Sequence, residues 1–97
     1  MLFLVISSPR PERPSAMTAS RKKFWRWIGP KLKSRQCRWI HARTGRGAAA
    51  LLDVTSNEEL HALLNGWADI IPAHFEIYPL IDPAAAKRFL GRPGSRR

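Results

Sequence analysis

Six side chains in two short stretches have the chemistry to move a proton or to hold the ligand that gives it up. Trp39, His41 and Arg43 alternate in one stretch, and His74, Glu76 and Tyr78 alternate in the other. In an extended chain, residues two apart share a face, so each triplet points to one side of its strand. Moving a double bond next to a carbonyl needs a group that removes a proton and returns it elsewhere. It also needs a cation or donor that stabilises the enolate formed between the two steps. Glu76, His74 and His41 are the candidates for proton transfer, and Arg43, Tyr78 and Trp39 are the candidates for holding the ligand. If the two strand faces coincide, a base, a cation and a hydroxyl converge over one sheet. The plainer alternatives are that His74 is solvated after its Pro72-Ala73 loop, that Tyr78 packs at an interface, and that Glu76 pairs with Arg38 or Arg43 across the sheet.

Other chemistries find less support. Three histidines and one cysteine are scattered with no ligand pair at helical or turn spacing, so neither a metal nor another cofactor is expected. Gly45-Arg46-Gly47 is too short for a phosphate-cradling loop and suits a hairpin instead. No Ser-His-Asp set can be argued from spacing. Cys37 is the single cysteine, which excludes an internal disulfide and fits a reducing, cytoplasmic setting. His61 falls beside an apolar helical stripe and is expected at the surface.

Charge is unevenly distributed over the 97 residues, whose formal net charge is +10. Residues 10–46 hold twelve Lys/Arg and one acid, Glu12, whereas residues 47–86 hold six acids and no Lys/Arg. Such asymmetry suits nucleic acid, anionic ligands or an acidic partner face, and it equally suits a solvated basic surface. Within the basic part, Arg21 to Trp27 interleaves three aromatics with four cations, as base stacking plus phosphate contact would require. An interfacial helix would show the same pattern. Helical spacing instead turns Phe24 and Trp27 toward a core and leaves Trp25 outward.

The elements that must position these residues follow from pattern and punctuation. Met1 to Ile6 is too short an apolar run for a membrane span or a signal peptide and is expected to form a first strand, Leu2 to Ser7. Phe3 and Val5 occupy one face of it and Leu2, Leu4 and Ile6 the other; both faces are apolar, which predicts cover on both sides. Pro9, Pro11 and Pro14 predict a stiff loop without helix. A first helix should start near Thr18 or Ser20, either able to cap it, with Phe24, Trp27, Ile28 and Leu32 inward and a kink or break at Gly29-Pro30.

A second strand, Cys37 to Arg43, should place Cys37, Trp39, His41 and Arg43 on one face and Arg38, Ile40 and Ala42 on the other. Thr44 to Gly47 reads as a hairpin turn leading to a third strand, Ala48 to Val54. Ser56 and Glu59 form a capping box at the start of a second helix. Its stripe is Leu60, Leu63, Leu64 and Trp67, and Pro72 forces its end. A fourth strand, His74 to Leu80, should turn Phe75 and Ile77 one way and His74, Glu76 and Tyr78 the other. A short last helix, Ala84 to Leu90, is capped by Asp82, and residues 91–97 read as a flexible basic tail. The order β-α-β-β-α-β over residues 1–90 predicts one α+β domain, a ferredoxin-like sandwich with a four-stranded antiparallel sheet.

Several of these stretches resemble the muconolactone isomerase family. The resemblance rests on Met1-Leu2-Phe3, on Leu52-Asp53-Val54 followed by Ser56, Glu59-Leu60 and His61, on Leu64 to Pro72, and on Phe75-Glu76-Ile77-Tyr78-Pro79-Leu80. It implies the ferredoxin-like fold, pairing of sheets into a dimeric α+β barrel or a larger homo-oligomer, and a cofactor-independent isomerase or cyclase. The ligand would be an enolisable, oxygenated small molecule of lactone or polyketide-like type. Glu76 matches a glutamate common in the family, whereas its partners come from strand parity. Leu4 and Ile6 stand where the isomerase carries polar, ionisable residues, which suits a greasier ligand or a dimer face. The alternatives are a non-catalytic ligand-binding or assembly module of the same fold, and a basic nucleic-acid-binding protein.

Overall fold

A computed structural model describes residues 1–91. The elements are β1 (Leu2–Pro9), a 3-10 turn (Pro14–Met17), α1 (Thr18–Lys33), β2 (Cys37–Ala42), β3 (Ala48–Asp53), α2 (Asn57–Ile70), β4 (Ala73–Leu80) and α3 (Pro83–Leu90). The strands form one antiparallel sheet in the order β2-β3-β1-β4. This is the α+β, ferredoxin-like arrangement expected from the order of elements. Residues 92–97, most of the expected tail, lie outside the described residues, and Gly91 closes α3 by donating its N–H to the carbonyls of Arg88 and Phe89.

One face of the sheet is covered by α1 and α2. Phe3 and Val5 of β1, and Ala48, Ala50 and Leu52 of β3, meet Phe24 and Ile28 of α1 and Leu60, Leu63, Leu64 and Trp67 of α2 in a single core. The β3 alanines leave room for the aromatic layer, in which the Trp67 ring lies 4.8 Å from Phe24 and 5.3 Å from Phe75. Ser7 is the one buried polar residue among those described; its hydroxyl accepts from the Ala48 N–H at 2.9 Å.

The two ends of α2 form as their residue types demand. The Ser56 hydroxyl accepts from the Glu59 N–H at 3.1 Å, and the Glu59 carboxylate reaches back to the Thr55 N–H, one residue before the cap. At the other end Pro72 follows the Ile71 cap.

Four local expectations are corrected. The proline-rich loop contains a 3-10 turn, with Pro14 at its first turn, where a missing N–H costs nothing. That turn feeds directly into α1, so Met17 occupies the cap position without a side-chain bond; the Thr18 hydroxyl bonds Ser15 O instead. Pro30 does not end α1, which runs on to Lys33. Proline removes one ladder bond there, while Ile28 and Leu32, both packed on the core, hold the turns on either side. Within the chain, finally, helices cover only one face of β1, and Leu2, Leu4 and Ile6 look out from the other.

The expected alternation of β2 is also corrected. Cys37 pairs with Leu52 but Trp39 pairs with Leu51, so a bulge at Arg38 adds one residue between them. Cys37 and Ile40 therefore lie toward the helices, while Trp39 and His41 lie on the opposite side. Arg43 lies just past the strand, in the hairpin turn.

Candidate functional site

The candidate site is built on the uncovered face of the sheet. Cross-strand partners share a face, so the pairing defines rows across it. One row runs Trp39, Leu51, Leu4, Tyr78; the next runs His41, Ala49, Ile6, Glu76. His74 lies one step further along, opposite Ser8, and Asp53, Leu2 and Leu80 form the row at the other end. Five of the six expected site residues thus stand on one face, over a floor of Leu4, Ile6, Ala49 and Leu51.

They do not all meet. β2 and β4 are the two edges of the sheet, and three inter-strand steps set His41 and Glu76 about 14 Å apart along their row. Two close pairs form instead. The Tyr78 hydroxyl donates to Glu76 Oε2 at 2.5 Å, and the His41 ring lies 5.7 Å from that of Trp39. The bond to Glu76 raises the Tyr78 pKa above its ordinary value, because losing the phenolic proton would set two anions side by side. The phenol is therefore held as a donor at neutral pH. His41, His74, Glu76, Tyr78 and Trp39 are all exposed in the single chain.

Arg43 departs from the set. Its guanidinium donates to Ser7 O and Ser8 Oγ, each at 3.1 Å, and lines a cavity on the helix-covered side of the sheet. Neither Arg38 nor Arg43 pairs with Glu76. Arg38 Nε donates to Asp53 Oδ2 at 3.0 Å, and this bond holds the Asp53 carboxyl below its ordinary range. Periodicity could not show this pair, because it depends on the bulge.

Cys37 is buried and donates to Trp39 O; burial pushes its thiol pKa up, so it is held as an unreactive thiol in the core. His61 is exposed on α2, as expected from its place beside the stripe. Among the described residues no group of three His, Cys, Asp or Glu side chains is placed to hold a metal ion. No helix among them is long and apolar enough to cross a membrane.

The family model called Domain of unknown function (DUF3303) matches residues 1–93. The chain belongs to this family. No curated protein matches it. The DUF3303 match spans all four strands and three helices, and so includes both edges of the open face.

Proposed function

We propose that this DUF3303 chain is a homodimeric, cofactor-independent isomerase or cyclase. Its ligand would be an enolisable oxygenated molecule, lactone- or polyketide-like, held between two facing sheets. The observation that carries the proposal is the apolar open face. An antiparallel sheet with one solvated face ordinarily alternates apolar and polar residues. Here Leu2, Leu4, Ile6, Leu51, Trp39, Tyr78 and Leu80 all lie on the face that no helix covers. A contiguous apolar patch of this kind marks an interaction surface.

Edge-to-edge growth of the sheet is disfavoured, since β2 is bulged at Arg38 and β4 carries Pro79. A second copy therefore docks face to face. A two-fold axis along the strands would set β2 of one copy over β4 of the other. Trp39 and Tyr78 share one row and His41 and Glu76 the next, so the same axis brings each residue opposite its counterpart across a gap of about 10 Å. A base, an imidazole and a phenol then line a water-poor chamber. Glu76 would take and return the proton; His41 would donate to the enolate oxygen, joined by the Tyr78 hydroxyl, which is released from Glu76 when that carboxylate takes up the proton. The resemblance to muconolactone isomerase supports the same reaction class.

Glu76→Gln, assayed against a panel of lactones and polyketide-like enones, tests the proposal. It should abolish turnover while leaving dimerisation and ligand binding intact, because the amide keeps the shape and loses the base. Undiminished turnover would move the base to His41 or His74. A second reading, a non-catalytic ligand-binding or assembly module, is favoured by Leu4 and Ile6, which put no ionisable group at the centre of the chamber floor. Ligand binding to the dimer with no turnover of any panel member would support it.

A further inference from the structure

We infer that the helix-covered side of the sheet carries a second, separate binding site, for a small aromatic carboxylate. A cavity of about 90 Å³ lies where the first turns of α1 meet the end of α2 and the β2–β3 hairpin. Its apolar wall is Phe24, Trp25 and Trp67, and its polar rim is Arg21, Arg43 and Arg46. Phe24 and Trp67 are buried, whereas Trp25 is 47% exposed and stands edge-on to Phe24 at 5.5 Å. Trp25 is thus an outer wall that a ligand can cover.

The rim is positively charged, and no ion pair among the described residues involves its arginines. None of the residues lining the cavity is acidic. Among the described residues the ion pairs both fall on Asp53, at the opposite end of the sheet. Arg43 donates to the neutral oxygens of Ser7 and Ser8, and Arg46 donates to the backbone carbonyl of Glu12. These bonds aim two guanidinium groups without cancelling their charge.

The hairpin that carries them is closely seated on β1. Gly47 has a φ of +93°, and a Cβ there would come within 2.3 Å of Ser7 O, so no larger residue fits without moving the turn. The Arg43 N–H to Gly47 O bond at 2.9 Å closes the same turn. Arg43 and Arg46 are therefore presented by a rigid loop.

Size and chemistry together select the ligand class. Sites for drug-sized molecules run from about 300 to 1,000 Å³, whereas a dry cavity of about 150 Å³ holds benzene. A cavity of about 90 Å³ with an open side takes the inner edge of one ring and leaves the rest of the ring and its substituent at the rim. Arginine forks bind carboxylates in a bidentate manner, and an aromatic ring packs on Trp and Phe faces or edges. Nucleotides and long acyl chains exceed this volume. The site lies across the sheet from Glu76 and does not require a dimer, so its test is independent of the proposed reaction.

Benzoate titrated into the isotope-labelled full chain, followed by nuclear magnetic resonance, tests the inference. The indole N–H signals of Trp25 and Trp67, assigned by W25F and W67F, should shift and saturate together with the amides of Gly45 and Gly47. Benzyl alcohol, the neutral isostere, should bind at least about ten-fold more weakly, as should inorganic phosphate, which lacks the ring. Arg43→Met should weaken benzoate at least about ten-fold. Because Arg43 also contacts β1, Arg21→Met is the control variant: among the described residues the Arg21 side chain makes no hydrogen bond or ion pair, so the fold should be unchanged while benzoate affinity still falls. The inference is overturned if benzoate leaves Trp67 unmoved, if benzyl alcohol binds as well, if phosphate gives the same shifts at the same concentration, or if Arg21→Met and Arg43→Met both bind like the wild type.

Discussion

The two faces of the sheet are made from the same strands and finished in different ways. Toward the helices, Val5, Ala50 and Cys37 are wholly buried and Leu52 nearly so. On the open face their immediate neighbours Leu4, Ile6 and Leu51 are only half-buried, and Trp39 and Tyr78 are exposed. The covered face is closed over β1 and β3 by α1 and α2, while Ile77 and Pro79 at its β4 edge stay exposed. The open face has an apolar centre of Leu2, Leu4, Ile6 and Leu51, edged by His41, His74, Glu76 and Asp53, and no helix among the described residues covers it. The contrast teaches that burial within one copy and apolarity of sequence are separate quantities, and that their mismatch locates the surface a partner should occupy.

Truncation should separate the faces most sharply. Leu63→Ala, under α2 on the covered side, should cost about 2–5 kcal/mol in denaturant unfolding at any protein concentration. Leu4→Ala should lower stability by an amount that grows with protein concentration in the wild-type reference, because its loss is felt through assembly. Equal, concentration-independent costs at both positions would dissolve the distinction.

Ser56→Ala comes next, at about 1 kcal/mol, through loss of the bond to the Glu59 N–H. Its cost should be independent of protein concentration, since the cap belongs to the covered layer. A cost above that of Leu63→Ala would mean that the α2 stripe contributes less than its burial indicates.

This helix was also the most legible part of the sequence. Ser56, Glu59, the four-residue stripe and Pro72 are local signals, each with its own physical cause, and they agree. β2 was harder to read. A bulge is one extra residue in a ladder and changes neither composition nor hydropathy. Strict alternation therefore grouped Cys37 with Trp39, although pairing with β3 places them on opposite faces. Pro30 misled for a similar reason: its cost is local, but Ile28 and Leu32 anchor α1 through tertiary packing. For the candidate site, parity on β4 correctly collected His74, Glu76 and Tyr78, and Trp39 and His41 share their face. Strand order determines whether two strands are neighbours, and no residue type announces that β2 and β4 are opposite edges. The cavity beside Arg43 was likewise invisible, because it joins α1, α2 and a hairpin distant in sequence.

Two pH measurements probe smaller effects on the open face. Arg38 holds the folded-state pKa of Asp53 below its ordinary value of 3.8. A depressed folded pKa contributes stability that is complete above the unfolded value and is lost as pH falls through the folded one. The stability difference between wild type and Asp53→Asn should therefore be present near neutral pH and vanish as pH falls below 3.8. Both groups are partly solvated, so the difference should be small. A difference that persists in acid would assign Asp53 a packing role.

Tyr78 offers a sharper spectroscopic handle, since it is the only tyrosine in the chain. Its ultraviolet titration should lie above the ordinary 10.0 in the wild type and move back down in Glu76→Gln. No movement on substitution would show that the Glu76–Tyr78 bond is not populated in solution.

The central claim is that the open face is covered by a second copy, which completes the chamber. Sedimentation equilibrium at micromolar protein tests it directly, comparing the wild type with Leu4→Asp. The wild type should sediment at twice the 11.0 kDa chain mass, and Leu4→Asp, which places a charge at the centre of the face, should sediment as a folded monomer. A wild-type chain that remains at 11.0 kDa across the concentration range, or a Leu4→Asp chain that stays dimeric, would contradict it.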